Sequence, residues 1–366
     1  MKKELSIWQS ADWPNFKWNE HILNTPLKLA QEQQARLVGM LSALGFDIQN
    51  QTTLESITED IVRSSEIEGE LLNRDSVRSS IARHLGISLP SAVNSDHYTE
   101  GVVQVAFDAF KNCRMPLDKE RLCNWHAALF PTGRSGIYRI TVADWRQGEE
   151  PMLVVSGAMG KERIHYEAPP SSTVQQEMDC FLKWYNSDLL HSQLLKAAIA
   201  HLWFVAIHPF DDGNGRLARI LTDMLITRST SIHCYSVSAE ILKNRKEYYS
   251  ILEQTTCGGM DITEWILWFL RRIEDAITTS EQSLQGALRK TEFWSRHSND
   301  EFNERQRKVI NRLFDGFDGP LTSSKWAKIC HCSPDTALRD ISALIDKGVL
   351  IKASSGGRST HYNIAD

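Results

Sequence analysis

Nine residues near the middle of the chain, HPFDDGNGR at 208–216, bring together side chains and backbone suited to handling a phosphate. Gly213, Asn214 and Gly215 tolerate positive φ, so successive amides can turn toward one point. The apolar run Leu194 to Ile207 before them, and the apolar segment beginning around Arg216 after them, read as buried helices. The amides then sit at a helix N-terminus, where the dipole favours an anion. Arg216 and Arg219, at i, i+3, add two guanidiniums on the same side of that helix. The result is a phosphate cradle, and it is not a Walker loop, because no GK[ST] follows. Asp212, beside the cradle, offers the hard oxygen that Mg2+ prefers. His208, whose unperturbed pKa is about 6.5, can be neutral at working pH and accept a proton from a hydroxyl. Phe210 is read as the anchor of the loop in the core.

A second stretch, SSEIEGE at 64–70, carries three carboxylates in five positions. Leu54, Ile57 and Ile61 set a three-and-four rhythm that predicts a helix over about 54–72 with one buried face. Extended, the stripe passes Ser64 and Ser65, lands on Glu68, and reaches Leu71 and Leu72. Glu66 and Glu70 fall off it and read as solvated charges. An inward-facing Glu68 needs a cation, since an unpartnered buried carboxylate is expensive.

The elements that must position these groups form a mostly α-helical chain. Residues 1–95 are an N-terminal helical region, with segments 26–44, 52–70 and 74–86, the last stopping at Gly86. Residues 96–296 are a helix-rich core interrupted between Tyr138 and Pro170. There MLVV and RIHYE flank the Gly-containing SGAMGKE, which predicts a hairpin at about 151–170. Polar HSNDEFNE, 297–304, reads as a linker. From 304 to 366, three helices are followed by two strands around SGGR, a plan that resembles a winged helix-turn-helix with Ser333 to Lys347 as recognition helix. That segment holds ten Lys/Arg against seven Asp/Glu, an excess mild enough to leave DNA contact and protein contact both open.

Composition bounds the rest. A chain of 366 residues with 42% hydrophobic and 24% charged residues is a globular protein of two or three domains. Its net charge of -5 carries no global signal for nucleic acid. The N-terminal MKKELSIWQSADWPNFKW lacks the apolar run of a secretory signal, and the longest such run, WILWFL, is too short to span a bilayer. Seven cysteines without a CxxC pair suit a reducing cytoplasm. Cys330 and Cys332 around His331 lack a second ligand pair and make a weak metal signal.

The segment from His208 to Arg219 resembles the Fic family, whose pattern is His-x-Phe-x-Asp/Glu-Gly-Asn-Gly-Arg-x-x-Arg. His208, Phe210, Asp212, Gly213, Asn214, Gly215, Arg216 and Arg219 match every position. The resemblance implies a Fic-type helical core, with the 151–170 hairpin as the flap that positions a target. It implies transfer of AMP from ATP to a Ser, Thr or Tyr hydroxyl of a protein, the enzyme itself included. His208 would be the base and Asp212 the Mg2+ ligand. The loop amides and Asn214 would hold the α- and β-phosphates, Arg216 the β-phosphate and Arg219 the γ-phosphate. Tyr248 or Tyr249 would be the adenine-side aromatic. Gly215 favours AMP transfer, since family members acting as kinases carry Lys there. Ser64, Glu68 and Gly69 fit the family's inhibitory pattern Ser/Thr-x-x-x-Glu-Gly/Asn, and the implied partner of Glu68 is Arg219. Two alternatives stay open: removal of AMP from a modified protein in the resting state, and a transcriptional regulator that senses nucleotide. A homodimer is compatible with the resemblance.

Overall fold

The structure, a computed structural model, describes residues 6–156, 163–190, 192–314, 317, 319–353 and 360–365. It is 64% helical with small antiparallel hairpins. The chain divides into two compact units, Met1–Ser280 and Glu281–Asp366. Among the described residues, no helix is long and apolar enough to cross a membrane.

The first unit opens with a 3-10 turn, Ile7–Gln9. Five helices follow: α1 Glu20–Ser42, α2 Phe46–Ile67, α3 Arg74–Leu85, α4 His97–Lys111 and α5 Lys119–Leu129. Two hairpins come next, β1 Arg134–Ser135 with β2 Tyr138–Arg139, and β3 Leu153–Ser156 with β4 Arg163–Glu167. Helices α6 Ser171–Tyr185, α7 Gln193–Ile207, α8 Asn214–Thr230, α9 Val237–Lys243 and α10 Arg245–Thr256 complete the set. The long α11, Thr263–Arg296, carries residues of both units.

Side-chain oxygens start most of these helices. Asn19, Asn73, Asp96, Asp118, Ser192 and Ser236 each accept a backbone N–H of the first turn of the helix they precede. The core is built on α7, in which all but two residues are buried, packed along α8. Helix α6 covers α7, α2 and α4 cover α8, and α1 touches both. The buried Trp265 indole donates to the Ala198 carbonyl at 2.7 Å and ties α11 to α7. The pattern of α7, apolar on every side, thus places it in the middle of the unit, and whatever follows it must emerge from the core.

Three element boundaries differ from the sequence reading. Helix α1 starts at Glu20 rather than Pro26, because Asn19 provides an N-cap and the proline is accommodated within the helix. Helix α8 starts at Asn214, two residues before Arg216, so the Gly-Asn-Gly lies in its first turn. Helix α2 ends at Ile67 instead of running to Leu72. Gly69, at φ +84°, terminates it: the Gly69 amide bonds the Glu66 carbonyl and the Glu70 amide the Ser65 carbonyl, both at 3.0 Å. Beyond that turn Leu71 is 85% exposed, so the apolar stripe does not continue.

In the second hairpin Leu153 pairs with Glu167, Val154 with Tyr166, Val155 with Ile164 and Ser156 with Arg163, with an irregularity between Val154 and Val155. The turn expected at SGAMGKE falls at 157–162, outside the described residues. Strand β4 is anchored from both faces. Tyr166 donates to the Ala206 carbonyl of α7 at 2.8 Å, while Arg163 and His165 both bond Glu253 of α10.

In the second unit α12 Glu304–Phe314, α13 Ser323–Cys330 and α14 Pro334–Asp346 are followed by β5 Leu350–Lys352 paired antiparallel with β6 Tyr362–Ile364. Ser333 caps α14 by accepting the Thr336 amide, with Pro334 in the first turn, as its sequence indicates. The SGGR turn lies outside the described residues. Trp326, Val309, Ile310, Leu344 and Val349 form the core of this unit, together with Phe293 from the end of α11. The units divide between Ser280 and Glu281, within α11, and Phe293 near the end of that helix is buried in the core of the second unit.

Candidate active site

Helix α7 delivers His208 to the end of the core. His208 adopts the left-handed conformation, φ 52°, which turns the chain sharply out of the helix. Arg146, itself buried, steadies this turn. Its side chain donates to the His208 carbonyl at 2.7 Å and to the carbonyl of Pro169, just after β4, and its backbone amide bonds the Pro209 carbonyl at 2.9 Å. The His208 ring sets its Nδ1 against the Val205 carbonyl at 3.2 Å. A carbonyl only accepts, so Nδ1 carries the hydrogen and Nε2 keeps a lone pair. Burial among protein atoms pushes the pKa of the half-buried His208 down to about 4; the Val205 bond opposes the shift and the charge of Arg146 adds to it. The imidazole is a neutral base near pH 7.

Phe210 is fully buried and stacks on His126 of α5, with ring centroids 4.2 Å apart and planes 7° from parallel. His126 Nδ1 accepts the Ala143 amide and Nε2 donates to the Asp212 carbonyl at 3.2 Å, which fixes its tautomer and pins the loop. Its pKa falls to about 4, mainly through burial. Asn214, read from the resemblance as a phosphate ligand, uses both ends of its amide on Phe210, accepting its N–H at 3.0 Å and donating to its carbonyl at 2.8 Å. That side chain is a brace across the loop, and one hydrogen of its amide nitrogen is committed to Phe210. No side chain caps the N-terminus of α8, where Gly213 sits at φ +81°. The orphan N–H groups of a first turn are anion donors.

Both arginines are buried, 3% exposed for Arg216 and 2% for Arg219. Arg219 donates from Nε to the Ser64 hydroxyl at 2.8 Å, and from Nη2 to the Ser64 carbonyl at 3.0 Å and to Glu68 Oε1 at 2.6 Å. Burial is the largest influence and works against the cation, but the charge and hydrogen bond of Glu68 together with Tyr248 and Tyr249 outweigh it, and the Arg219 pKa is raised. Glu68 itself is the cap residue after α2 and its side chain is 32% exposed. It reaches its partner from the rim of the site, not from within a buried helix face. Gly215 makes this approach feasible, since a Cβ there would collide with Glu68 Oε1 and lie 3.2 Å from its Cδ and 3.3 Å from Arg219 Nη1. Arg216 Nε and Arg219 Nη1 have no hydrogen-bond partner among the described residues, so each guanidinium holds a donor in reserve.

Glu70, read as a solvated charge, is instead bonded to Arg216 Nη1 at 2.8 Å and to the hydroxyl of Tyr98. The turn at Gly69, invisible to a helical projection, reverses the chain and brings it there. Glu66 pairs with Arg63 on the outer face, as a helical i, i+3 neighbour should. Tyr248 is buried and donates to His201 Nε2 at 2.8 Å, which makes it a core residue and removes it as an adenine-side aromatic. Tyr249 keeps 42% exposure, packs under the Arg245 guanidinium and bonds the Ile67 carbonyl at the end of α2. Sequence reasoning missed His126, Ser135, Arg146 and Tyr98. Each lies on a different element, and no spacing links any of them to the loop.

Asp212 accepts the Ser135 hydroxyl on one oxygen and its neighbouring Gly213 amide, at 2.6 Å, on the other. Among the described residues no group of three or more His, Cys, Asp or Glu is arranged to hold a metal ion by itself. A carboxylate oriented in this way beside the uncapped start of α8 fits Mg2+, which typically takes one or two carboxylates and completes its shell with water and substrate phosphate.

Residues 116–226 match the family described as Fic/DOC, and residues 6–87 match one described as a domain of unknown function (DUF4172). The protein adenylyltransferase fic-1 of Caenorhabditis elegans is 31% identical over 106 residues, 28% of this chain and 20% of that protein. The protein adenylyltransferase Fic of Nematostella vectensis is 32% identical over 112 residues, 30% of this chain and 25% of that one. The chain thus matches about a quarter or less of the length of these relatives. A crystal structure of a Fic family protein from Desulfovibrio desulfuricans superposes with TM-score 0.53 at 17% identity, covering 96% of this chain and 98% of that chain. C. elegans Fic-1 (aa134–508) gives 0.52 at 18% identity, covering 74% and 75%. At these identities the likeness speaks for the fold alone.

Proposed function

We propose that this chain, whose residues 116–226 match the Fic/DOC family, is a protein adenylyltransferase, moving AMP from ATP to a Ser, Thr or Tyr hydroxyl of a protein, itself included. The observation that carries the reading is the pairing of a neutral His208, its Nε2 lone pair available, with the uncapped N-terminus of α8 and two buried arginines.

His208 Nε2 takes the proton of the attacking hydroxyl. The hydroxyl oxygen bonds the α-phosphorus, the bond from that phosphorus to the oxygen bridging to the β-phosphate breaks, and pyrophosphate leaves with the electron pair. The amides at the start of α8 bind the α- and β-phosphates, and Arg216 and Arg219 take up the charge that grows on the leaving group. Asp212, oriented by Ser135, would hold Mg2+, whose contribution when bound is to neutralise the phosphates. His126 and Asn214 keep the loop in register, and Arg146 keeps His208 in its turn.

In the resting protein Glu68 occupies Arg219. It removes one ligand of the γ-phosphate and places a negative charge where that phosphate would sit. The helices and hairpin of the second unit we read as a winged helix-turn-helix, with α14 as recognition helix; a mobility shift of duplex DNA by the full chain tests that part.

Mass spectrometry of the purified chain after incubation with ATP and Mg2+ tests the reaction. A gain of one AMP on a hydroxyl side chain is expected, larger for Glu68→Gly and absent for His208→Ala. Unmodified protein and unmodified added targets in all three, with native folding verified, would refute it.

A further inference from the structure

The turn that ends α2 places not one but two carboxylates on the phosphate arginines. Glu68 meets Arg219, and two residues later Glu70 Oε2 lies 2.8 Å from Arg216 Nη1. The second contact is closed into a triangle by Tyr98, at the start of α4. Its hydroxyl donates to Glu70 and accepts from the same Arg216 nitrogen at 2.7 Å. Burial raises the Tyr98 pKa, so the phenol keeps the proton this arrangement needs. Phe130 covers the guanidinium, its ring centroid 4.8 Å away. Arg216 is therefore held in place by Tyr98 and Phe130 whichever anion it binds. The Glu70 side chain, by contrast, is 41% exposed, and water can enter as it leaves.

A carboxylate and a phosphate are alternative partners for one guanidinium, and a carboxylate on the same chain competes at an effective concentration in the millimolar range or above. We propose that Glu70, held by Tyr98, is a second clasp, which occupies the β-phosphate position on Arg216 so that the resting protein excludes nucleoside diphosphates as well as triphosphates. The inference rests on the proposed function for the assignment of Arg216 to the β-phosphate and Arg219 to the γ-phosphate. It divides the labour between the carboxylates. Glu68 acts only on ligands that have a γ-phosphate, whereas Glu70 acts on any ligand with a β-phosphate.

Equilibrium binding of AMP, ADP and ATP to the full chain, with Mg2+ present, separates the two. Glu70→Gln is expected to tighten ADP and ATP by about tenfold while AMP changes less than about twofold, since removing an intramolecular competitor shifts affinity by the fraction of sites it held. Tyr98→Phe, which loosens Glu70 without altering its charge, gives a smaller gain of the same pattern. Glu68→Ala tightens ATP alone. Unchanged ADP affinity in both Glu70→Gln and Tyr98→Phe, with native melting curves, would overturn the clasp and leave Glu70 as an ion pair that merely ties the turn to α8. If Glu68→Ala still gains ATP, the clasp alone fails. If no variant binds any nucleotide, the proposed function fails with it.

Discussion

Glu68→Ala should lower the stability of the free protein and raise its activity, and the geometry sets both sizes. Arg219 is 2% exposed and holds three hydrogen bonds, two to Ser64 and one, at 2.6 Å, to Glu68. The substitution removes the one ion-pair partner of Arg219 found among the described residues and leaves its hydrogen bonds on two neutral acceptors. Breaking a fully buried pair costs about 3–5 kcal/mol. Here the Glu68 side chain is 32% exposed, so solvent already screens the pair and can re-enter beside Arg219 Nη1 once the carboxylate is gone. Discounted for that screening, the loss is about 1–2 kcal/mol, which lowers the melting temperature by roughly 2–8 °C for a unit of this size. ATP should return more than was lost, because a ligand at 100 times its Kd adds about 2.7 kcal/mol. Thermal melts with and without ATP and Mg2+, run beside AMP incorporation by intact mass, read all three quantities. The expected pattern is a lower melting point without nucleotide, a larger ATP shift than wild type, and more AMP incorporated. A variant that melts like wild type and shows no larger ATP shift would show that Glu68 neither carries the cation nor blocks the nucleotide.

Gly215→Ala should cost about 1–3 kcal/mol by overpacking against Glu68 and Arg219, and much less in a Glu68→Ala background, so a double-mutant cycle by chemical denaturation should report coupling above about 0.5 kcal/mol. Asn214→Ala removes two buried bonds to the Phe210 backbone, so we expect about 1–3 kcal/mol lost in the melt and AMP transfer reduced even with Glu68 removed. His126, His201 and His208 all have pKa values lowered by burial, to about 4, 3 and 4. The unfolded chain therefore binds more protons than the native one below about pH 6.5, and this stability, intact above that pH, is lost as pH falls toward 4, by up to about 1.4 kcal/mol per unit for each imidazole. Melting temperatures between pH 7 and 4 test this; a flat profile contradicts it. Trp326→Ala, emptying the centre of the second unit's core, should destabilise that unit by about 3–5 kcal/mol, read as a separate or earlier transition in calorimetry.

What the chain's sequence settles by itself is local. The all-round apolar run of α7, the Gly-Asn-Gly after it and the two arginines at i, i+3 lie in one continuous stretch, 194–219, and in the structure they form the end of one buried helix, a turn and the start of the next. The Ser333 cap and Pro334 mark the start of α14 in the same way. An inward-facing Glu68 demands a cation; the family resemblance, not the helical pattern, points to Arg219, and a 2.6 Å contact joins the two. The helical stripe that aimed Glu68 inward stops one residue before it, since Gly69 in the left-handed region ends α2. A projection that assumes continuing helix also sends Glu70 to solvent, while the turn sends it to Arg216. Of the two adjacent tyrosines, only packing decides that Tyr248 points at His201 and Tyr249 outward, because a one-residue step on a helix rotates a side chain by about 100°. His126, Ser135, Arg146 and Tyr98 meet the loop from four separate segments, and their contacts exist only once α4, α5, the first hairpin and the segment between the two hairpins have packed. Motif spacing records what neighbours along the chain can do. Which distant side chain fixes a tautomer, orients a carboxylate or occupies an arginine depends on how the helices close around α7 and α8.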